Sequence, residues 1–462
     1  MGLGGKKGAG TKKIVPKREV PETIDNESLP PGYSVPQEPP DAFTTTAEWI
    51  EDPFIGEKPG ETKIQRSMKG KYESILRAGD FKDASEKQFV ADYMRWKLSL
   101  LTLKEKREAT KEKETVEYWR EMIKRDISPQ FYPEKNNPTV VRKFLLKVIA
   151  DEAPKLFEYH AIARLNGAIL LSELCDIPET DAQGRNPAIP CMRGAAPLME
   201  MLKDTKQLTA VRAWGVKGLV RLATLPEVPS QLRSQIIDVL VAQMNGSGKE
   251  HKWYQWRLAE GLGRLNVIQN QDKRPFVPQA LARVLADTER PWLVRAEAAQ
   301  SLGRLPYDSN IDVGLLAYEM AQLAQQMTVA YIKQPELSIW KLCFMKVYGG
   351  FKPLEDEEGS KQKRGLLAQV ESRPALSSYK KTVQESFDVV LPLVVKVVGA
   401  DKNDIDVSLT NLKKWLESNT PKNFKIQDGE DPIISKPNTA TRGPDAEPAP
   451  ASANGGNGSS GR

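Results

Sequence analysis

From Ala84 to about residue 425 the apolar residues recur at three- and four-residue intervals, the spacing that lines one face of an α-helix. The stretch from Ala84 to Ile127 contains neither Pro nor Gly. Phe89, Val90, Tyr93, Met94, Leu98, Leu101 and Leu103 form its apolar stripe. The run "KEKREATKEKETVEYWREMIKRD" continues it with opposite charges at i, i+4, a pattern that supports a solvated helix. Residues 84–135 therefore read as one long charged helix or a helical hairpin. Beyond Asn137-Pro138, helices and short breaks alternate at roughly 138–158, 160–175, 188–204, 208–224, 229–245, 250–266, 275–288, 291–305, 311–331 and 335–351. The breaks hold Pro, Gly, Asp or Asn, residues that start and stop helices. No segment alternates apolar and polar residues over a bounded strand, so the body is expected to be all-α.

Five of these segments align without gaps: "ARLNGAILLSEL" (163–174), "VRAWGVKGLVRL" (211–222), "YQWRLAEGLGRL" (254–265), "VRAEAAQSLGRL" (294–305) and "WKLCFMKVYGGF" (340–351). Equivalent positions 172, 220, 263, 303 and 349 lie 48, 43, 40 and 46 residues apart. Gly167, Gly215, Ala259 and Ala298 sit where two helices must come close, and Leu174, Leu222, Leu265 and Leu305 fill the space between successive layers. A glycine inside a helix costs about 1 kcal/mol relative to alanine, so Gly263 and Gly303 point to tight packing. A helix with its own apolar face precedes each later segment: "AAPLMEML", "QIIDVLVAQM", "VPQALARVLAD" and "GLLAYEMAQLAQQM". One pair cannot bury both faces, so pairs are expected to stack and share a core.

These residues resemble the HEAT-repeat family, including its short bacterial HEAT-like type, over about residues 138–355. "WLVRAEAAQSLGRL" carries the likeness most strongly, and "TAVRAWGVKGLVRL" comes next. The period agrees with the roughly 40–47 residues of such units. The resemblance implies an α-solenoid of about five helical hairpins, residues 136–355, whose second helices line a concave face.

The ends differ in character. Residues 1–83 are rich in Pro, Gly, Lys and Glu, a composition that buries too little surface to offset the entropy of ordering. Trp49 to Ile55 is an apolar island within them, fit to dock on the body or a partner. Residues 356–425 open with the charged "DEEGSKQKRG" and then read as a C-terminal helical cap, in which Leu409, Leu412, Trp415 and Leu416 make a helical stripe. Residues 426–462 read as a disordered low-complexity tail.

Charge changes this picture little. Of 462 residues 28% are charged, with a net +6. Over 131–266 there are 18 basic and 14 acidic side chains, and over 267–356 there are 10 of each. The first eighteen residues alone are purely basic. Met1-Gly2-Leu3-Gly4-Gly5-Lys6 lacks a signal-peptide core and the myristoylation pattern. Val389 to Val398, the most apolar stretch, is about half the length a bilayer requires. The chain as written is therefore expected to be cytoplasmic with no membrane span, and exported only if a signal peptide lies upstream. Three cysteines make no disulfide framework. Cys343 reads as a core residue, and Cys175 and Cys191 flank one loop and could meet in an exported protein.

Little in the sequence points to catalysis. His160 and His251 are the two histidines, and neither belongs to a metal-ligand spacing. "GAGTKK" near the start has neither the strand before it nor the helix after it that a phosphate loop requires. Cofactors and metals are therefore not expected. Among enzymes built on HEAT-like repeats, the deoxyhypusine hydroxylase type carries His-Glu pairs, absent here. The alkylpurine DNA glycosylase type uses aromatic residues with Asp and Arg. Trp214, Trp253, Trp256, Trp292 and Trp340 recur in or near second helices with Arg212, Arg257, Arg264, Arg295 and Arg304. Such tryptophans serve either as core between layers or as contacts for a ligand, and the "VRA" arginines commonly pair with an acid of the next layer. The leading expectation is a non-enzymatic scaffold that binds a protein partner of unknown identity through Trp214, Trp253, Trp256, Arg257, Trp292 and Arg295, since Trp and Arg are enriched in hot spots. The alternatives are nucleic-acid binding through the same residues and a HEAT-like lyase or glycosylase.

Overall fold

Sixteen α-helices make up nearly all the regular structure among the described residues. The structure is a computed structural model. It describes residues 63–103, 109–112, 115–128, 139–177, 189–270, 272, 274–352, 365–400 and 403–433. All of them belong to one compact unit, Glu38–Ala446; the other unit, Met1–Gln37 with Glu447–Arg462, lies outside the described residues. So do the apolar island at 49–55, most of the charged linker after residue 352 and the tail beyond Ile433.

Helix α1 (Lys63–Ala78) falls within the stretch whose composition predicts disorder. Its Tyr72, Ile75 and Leu76 are nevertheless buried, because α2 (Ala84–Ser99) and α4 (Val140–Glu152) pack against it. Among the described residues of 84–135 there are two separate helices, α2 and α3 (Val116–Asp126), each opened by a side-chain cap. Asp83 accepts from Glu86 N at 2.9 Å while Glu86 accepts from Lys82 N at 2.8 Å, a variant of the capping box in which the N3 side chain reaches the residue before the N-cap. Between α1, α2 and α3 the Lys97 ammonium is buried against Asp126, which also accepts from Tyr72 at 3.0 Å. Burial pushes the Lys97 ammonium below its ordinary pKa, against the pull of Asp126.

Each of the ten helical segments expected between 138 and 351 is a helix. They are α4, followed by a 3-10 turn at Ala153–Glu158, then α5 (Ala161–Glu173), α6 (Ala195–Lys203), α7 (Thr209–Ala223), α8 (Ser230–Gly246), α9 (Lys252–Arg264), α10 (Phe276–Ala286), α11 (Trp292–Arg304), α12 (Val313–Lys333) and α13 (Ile339–Phe351). Proline stands just before α8, α10 and α11 (Pro229, Pro275, Pro291), where its missing N–H costs no helical bond. One strand pair interrupts the helices: β1 (Cys175–Ile177) runs antiparallel to β2 (Ile189–Pro190), with Cys175 opposite Pro190. It is too short to show as an alternating pattern. Cys191 N donates to Leu174 O at 2.9 Å, so Cys191 lies opposite Leu174, and strand alternation turns it to the face opposite Cys175. Both thiols are free, so the register corrects the expectation that they could meet.

The order of packing is regular. Helices α5, α7, α9, α11 and α13 each pack on the next, and α6, α8, α10 and α12 do the same in a second row. Glycine makes the first row close. An added Cβ at Gly263 would overlap Cβ of Ser301, and one at Gly303 would overlap the carbonyl oxygen of Gly350. Ser301 Oγ also donates to Ala259 O at 2.9 Å, and Ser172 Oγ to Trp214 O at 2.8 Å. Small residues and hydroxyls thus join successive helices of one row at equivalent places.

Past α13 come α14 (Leu366–Ser372), α15 (Lys380–Val398) and α16 (Ile405–Ser418). Helix α15 packs on α12 and α13, and α16 packs on α12 and α15. The chain then turns back along the second row. Ile426 O accepts from Asp312 N at 2.8 Å, Glu430 takes both arms of Arg274 at 2.8 and 3.0 Å, and Asp431 pairs with Arg283 at 2.7 Å. Ile426 and Ile433 are buried. The first residues of the expected disordered tail, 426–433, are therefore held against α10 and α12.

Candidate functional site

The aligned segments put equivalent residues on equivalent faces. The fourth, seventh and eleventh positions of the twelve-residue segments share one side of each helix. Across α7, α9, α11 and α13 they read Trp214, Arg257, Glu297, Cys343; Lys217, Glu260, Gln300, Lys346; and Arg221, Arg264, Arg304, Gly350. Helix α9 supplies the most exposed part of this face. Trp253, in its first turn, is 47% exposed, and its ring meets Trp256 edge-on at 5.4 Å. The Arg257 guanidinium lies 4.9 Å over the Trp256 ring. Glu260 pairs with Arg257 and, at 2.7 Å, with Arg264.

Helix α11 is covered from both sides. Trp256 Nε1 on α9 donates to Glu297 Oε2 at 2.5 Å, and Lys346 on α13 pairs with the same carboxylate. Lys346 also donates to Gln300 Oε1 at 3.0 Å and lies 5.6 Å from the Trp256 ring. Glu297 is consequently 0% exposed, and its Oε1 has no partner among the described residues. A lone carboxylate in a second helix gives no signal by itself; its place in the aligned segments, between Arg257 and Lys346, is what could have singled out Glu297.

Four of the six residues expected to bind a partner lie on or near this face. Trp253 is exposed, and Trp256 and Arg257 are half-buried. Trp214 is half-buried on α7, with the Lys217 ammonium 3.9 Å above its ring. The other two require correction. Trp292 is 3% exposed and packs 6.0 Å from the ring of Trp340 in the next layer. Arg295 is 1% exposed; it donates to Leu285 O at 2.9 Å and to Gln326 Oε1 at 2.6 Å, and stacks 5.3 Å over Trp292. Burial lowers its pKa to about 10, against the pull of Glu319 and Asp287. Both residues join layers and are closed to a partner. Arg212, the equivalent "VRA" arginine of α7, does the same, reaching Glu250 at 2.7 Å and Gln243 at 2.8 Å.

Both histidines serve as helix caps. His160 Nδ1 accepts from Ala163 N at 3.1 Å, and His251 Nδ1 from Trp253 N at 3.3 Å, so each imidazole caps a helix. Burial raises the thiol pKa of Cys175, and that of Cys191 to about 12, away from the thiolate that a nucleophile requires. Among the described residues no group of three or more His, Cys, Asp or Glu could hold a metal, and no helix is long and apolar enough to cross a membrane. A groove of about 460 Å³ lies at the start of α8, lined by Arg233, Asp238, Asn270 and Asp272 among others. Burial and then Asp272 raise the Asp238 carboxyl, and Ser230 and Ser234 line the same groove, with no imidazole among its lining residues.

No family model, curated protein or solved structure matches the chain.

Proposed function

We propose that this protein is a non-enzymatic scaffold or adaptor, an α-solenoid of HEAT-like helical hairpins that holds a segment of a protein partner along its second helices. The solenoid reading is supported by the in-phase segments and by two rows of helices in which each packs on its successor. Stacked pairs of this kind leave one row of helices as an extended binding surface. A scaffold is favoured over an enzyme because both imidazoles already cap helices.

One observation carries the partner reading. Trp253 remains 47% exposed on α9 while Trp292, near the start of α11, is buried. It stands beside Trp256 and Arg257. Exposed Trp and Arg together are the residue types that dominate interface energetics. The test is comparative capture by the full-length protein and by Trp253→Ala, whose thermal melt should match the wild type. A protein captured by the wild type and lost by the variant supports the site. A partner held equally by both sinks it.

A further inference from the structure

We infer that the partner segment is acidic and extended, with carboxylates about three residues apart; this deepens the scaffold reading above and rests on it. The fifteen face positions of α5, α7, α9, α11 and α13 carry six basic side chains, Lys217, Arg221, Arg257, Arg264, Arg304 and Lys346, against three acidic ones, Glu173, Glu260 and Glu297. The whole body has nearly balanced charge, so this excess belongs to one face of one row.

Its arrangement is periodic. Arg221, Arg264 and Arg304 occupy the same eleventh position in three successive second helices, and those helices pack on one another in that order. Arg221 leans on Ser172 O at 3.2 Å, and the Arg264 side chain is 58% exposed beside Glu260. Packed helices lie roughly 8–10 Å apart, while a polyproline chain, with three residues per turn, advances about 3.1 Å per residue and returns every third side chain to one face. Three residues of such a chain span one layer. Carboxylates at i, i+3 and i+6 therefore face one arginine each.

Charge spacing separates this ligand from nucleic acid. One DNA strand carries a phosphate about every 3.4 Å of helix axis, or roughly three per layer. Such a strand would press surplus phosphates against Glu260. A sparser row of carboxylates avoids that repulsion. The protein shows the same pairing of arginine with carboxylate, at a different spacing, at α10, where Arg274 and Arg283 take the adjacent Glu430 and Asp431.

The experiment uses the full-length protein at about 50 mM salt and fluorescence anisotropy. The probes are a labelled twelve-residue Glu-Pro-Ala repeat, a peptide of the same composition with its glutamates contiguous, and a twelve-nucleotide thymidine strand. The repeat peptide should bind best. The triple variant Arg221→Gln/Arg264→Gln/Arg304→Gln should weaken it on the order of tenfold or more, and the exposed Arg264→Gln alone should weaken it measurably if the triple variant fails to fold. Equal binding of both peptides, no loss in Arg264→Gln, or preference for the thymidine strand each overturns the inference. Failure of the scaffold reading is told apart by capture. A partner that the arginine variants keep and Trp253→Ala loses leaves the scaffold standing without this inference. A partner that none of them loses removes both.

Discussion

Arg264 and Arg295 sit in neighbouring second helices, yet only one is available to a ligand. Arg264 is mostly exposed and paired within its own helix, whereas Arg295 is buried and hydrogen-bonded to Leu285 O and Gln326 Oε1. Removing a buried, charged donor leaves its acceptors unsatisfied, a loss of about 2–4 kcal/mol. Arg295→Ala should therefore lower stability by that order in denaturant unfolding, while Arg264→Ala should stay within about 0.5 kcal/mol. Equal effects would show that the two guanidinium groups do not differ in the way described. The sequence pattern favours Arg295 for the partner and passes over Arg264, because residue type and spacing do not say which neighbour roofs a position. For α11 the roof is Trp256 on one side and Lys346 on the other, both over Glu297.

At the scale of elements, glycine separates propensity from packing. Gly70 lies in α1, exposed, with nothing within 4 Å of an added Cβ. Gly70→Ala should stabilise the protein by up to about 1 kcal/mol through helix propensity. Gly263 and Gly303 lie in helices too, yet Ser301 and Gly350 occupy the space an added methyl would need. Overpacking typically costs about 1–3 kcal/mol, so alanine there should lower the melting temperature despite the better propensity. A rise at all three positions would contradict the close approach of α9, α11 and α13. Here the sequence was informative: glycines at the tenth position of aligned segments were legible as contact points. The two-row packing order was not legible in the same sense, since periodicity names a helix's apolar face but not the helix that covers it.

For the whole molecule, the returning C-terminal segment links helices far apart in sequence. Glu430 and Asp431 reach Arg274 and Arg283, and Ile426 and Ile433 are buried beneath. Each isoleucine contributes about 1.5–3 kcal/mol by burial. A chain ending at Thr420 should melt at a lower temperature. Most of that loss should persist at high salt, because salt screens the exposed ion pairs but leaves apolar burial. A truncation that leaves the melt unchanged would show that the segment contributes no stability. Composition had assigned residues 426–433 to a disordered tail and 63–78 to a disordered head. Both expectations averaged over sequence windows, and in each case a few buried residues outweigh the polar majority around them.

What the sequence determined by itself is the local order. It specified helices at each of ten segments between 138 and 351, five in phase, and the small residues where they meet, because helix formation depends on side chains three and four positions apart. Tertiary structure decided exposure. It left Trp253 outside and put Trp292 and Arg295 inside, turned Cys175 and Cys191 to opposite faces of a strand pair, and drew the two ends of the body into its core. The physical reason is that burial is a property of neighbours brought together from distant parts of the chain, and a pattern along one helix cannot name them.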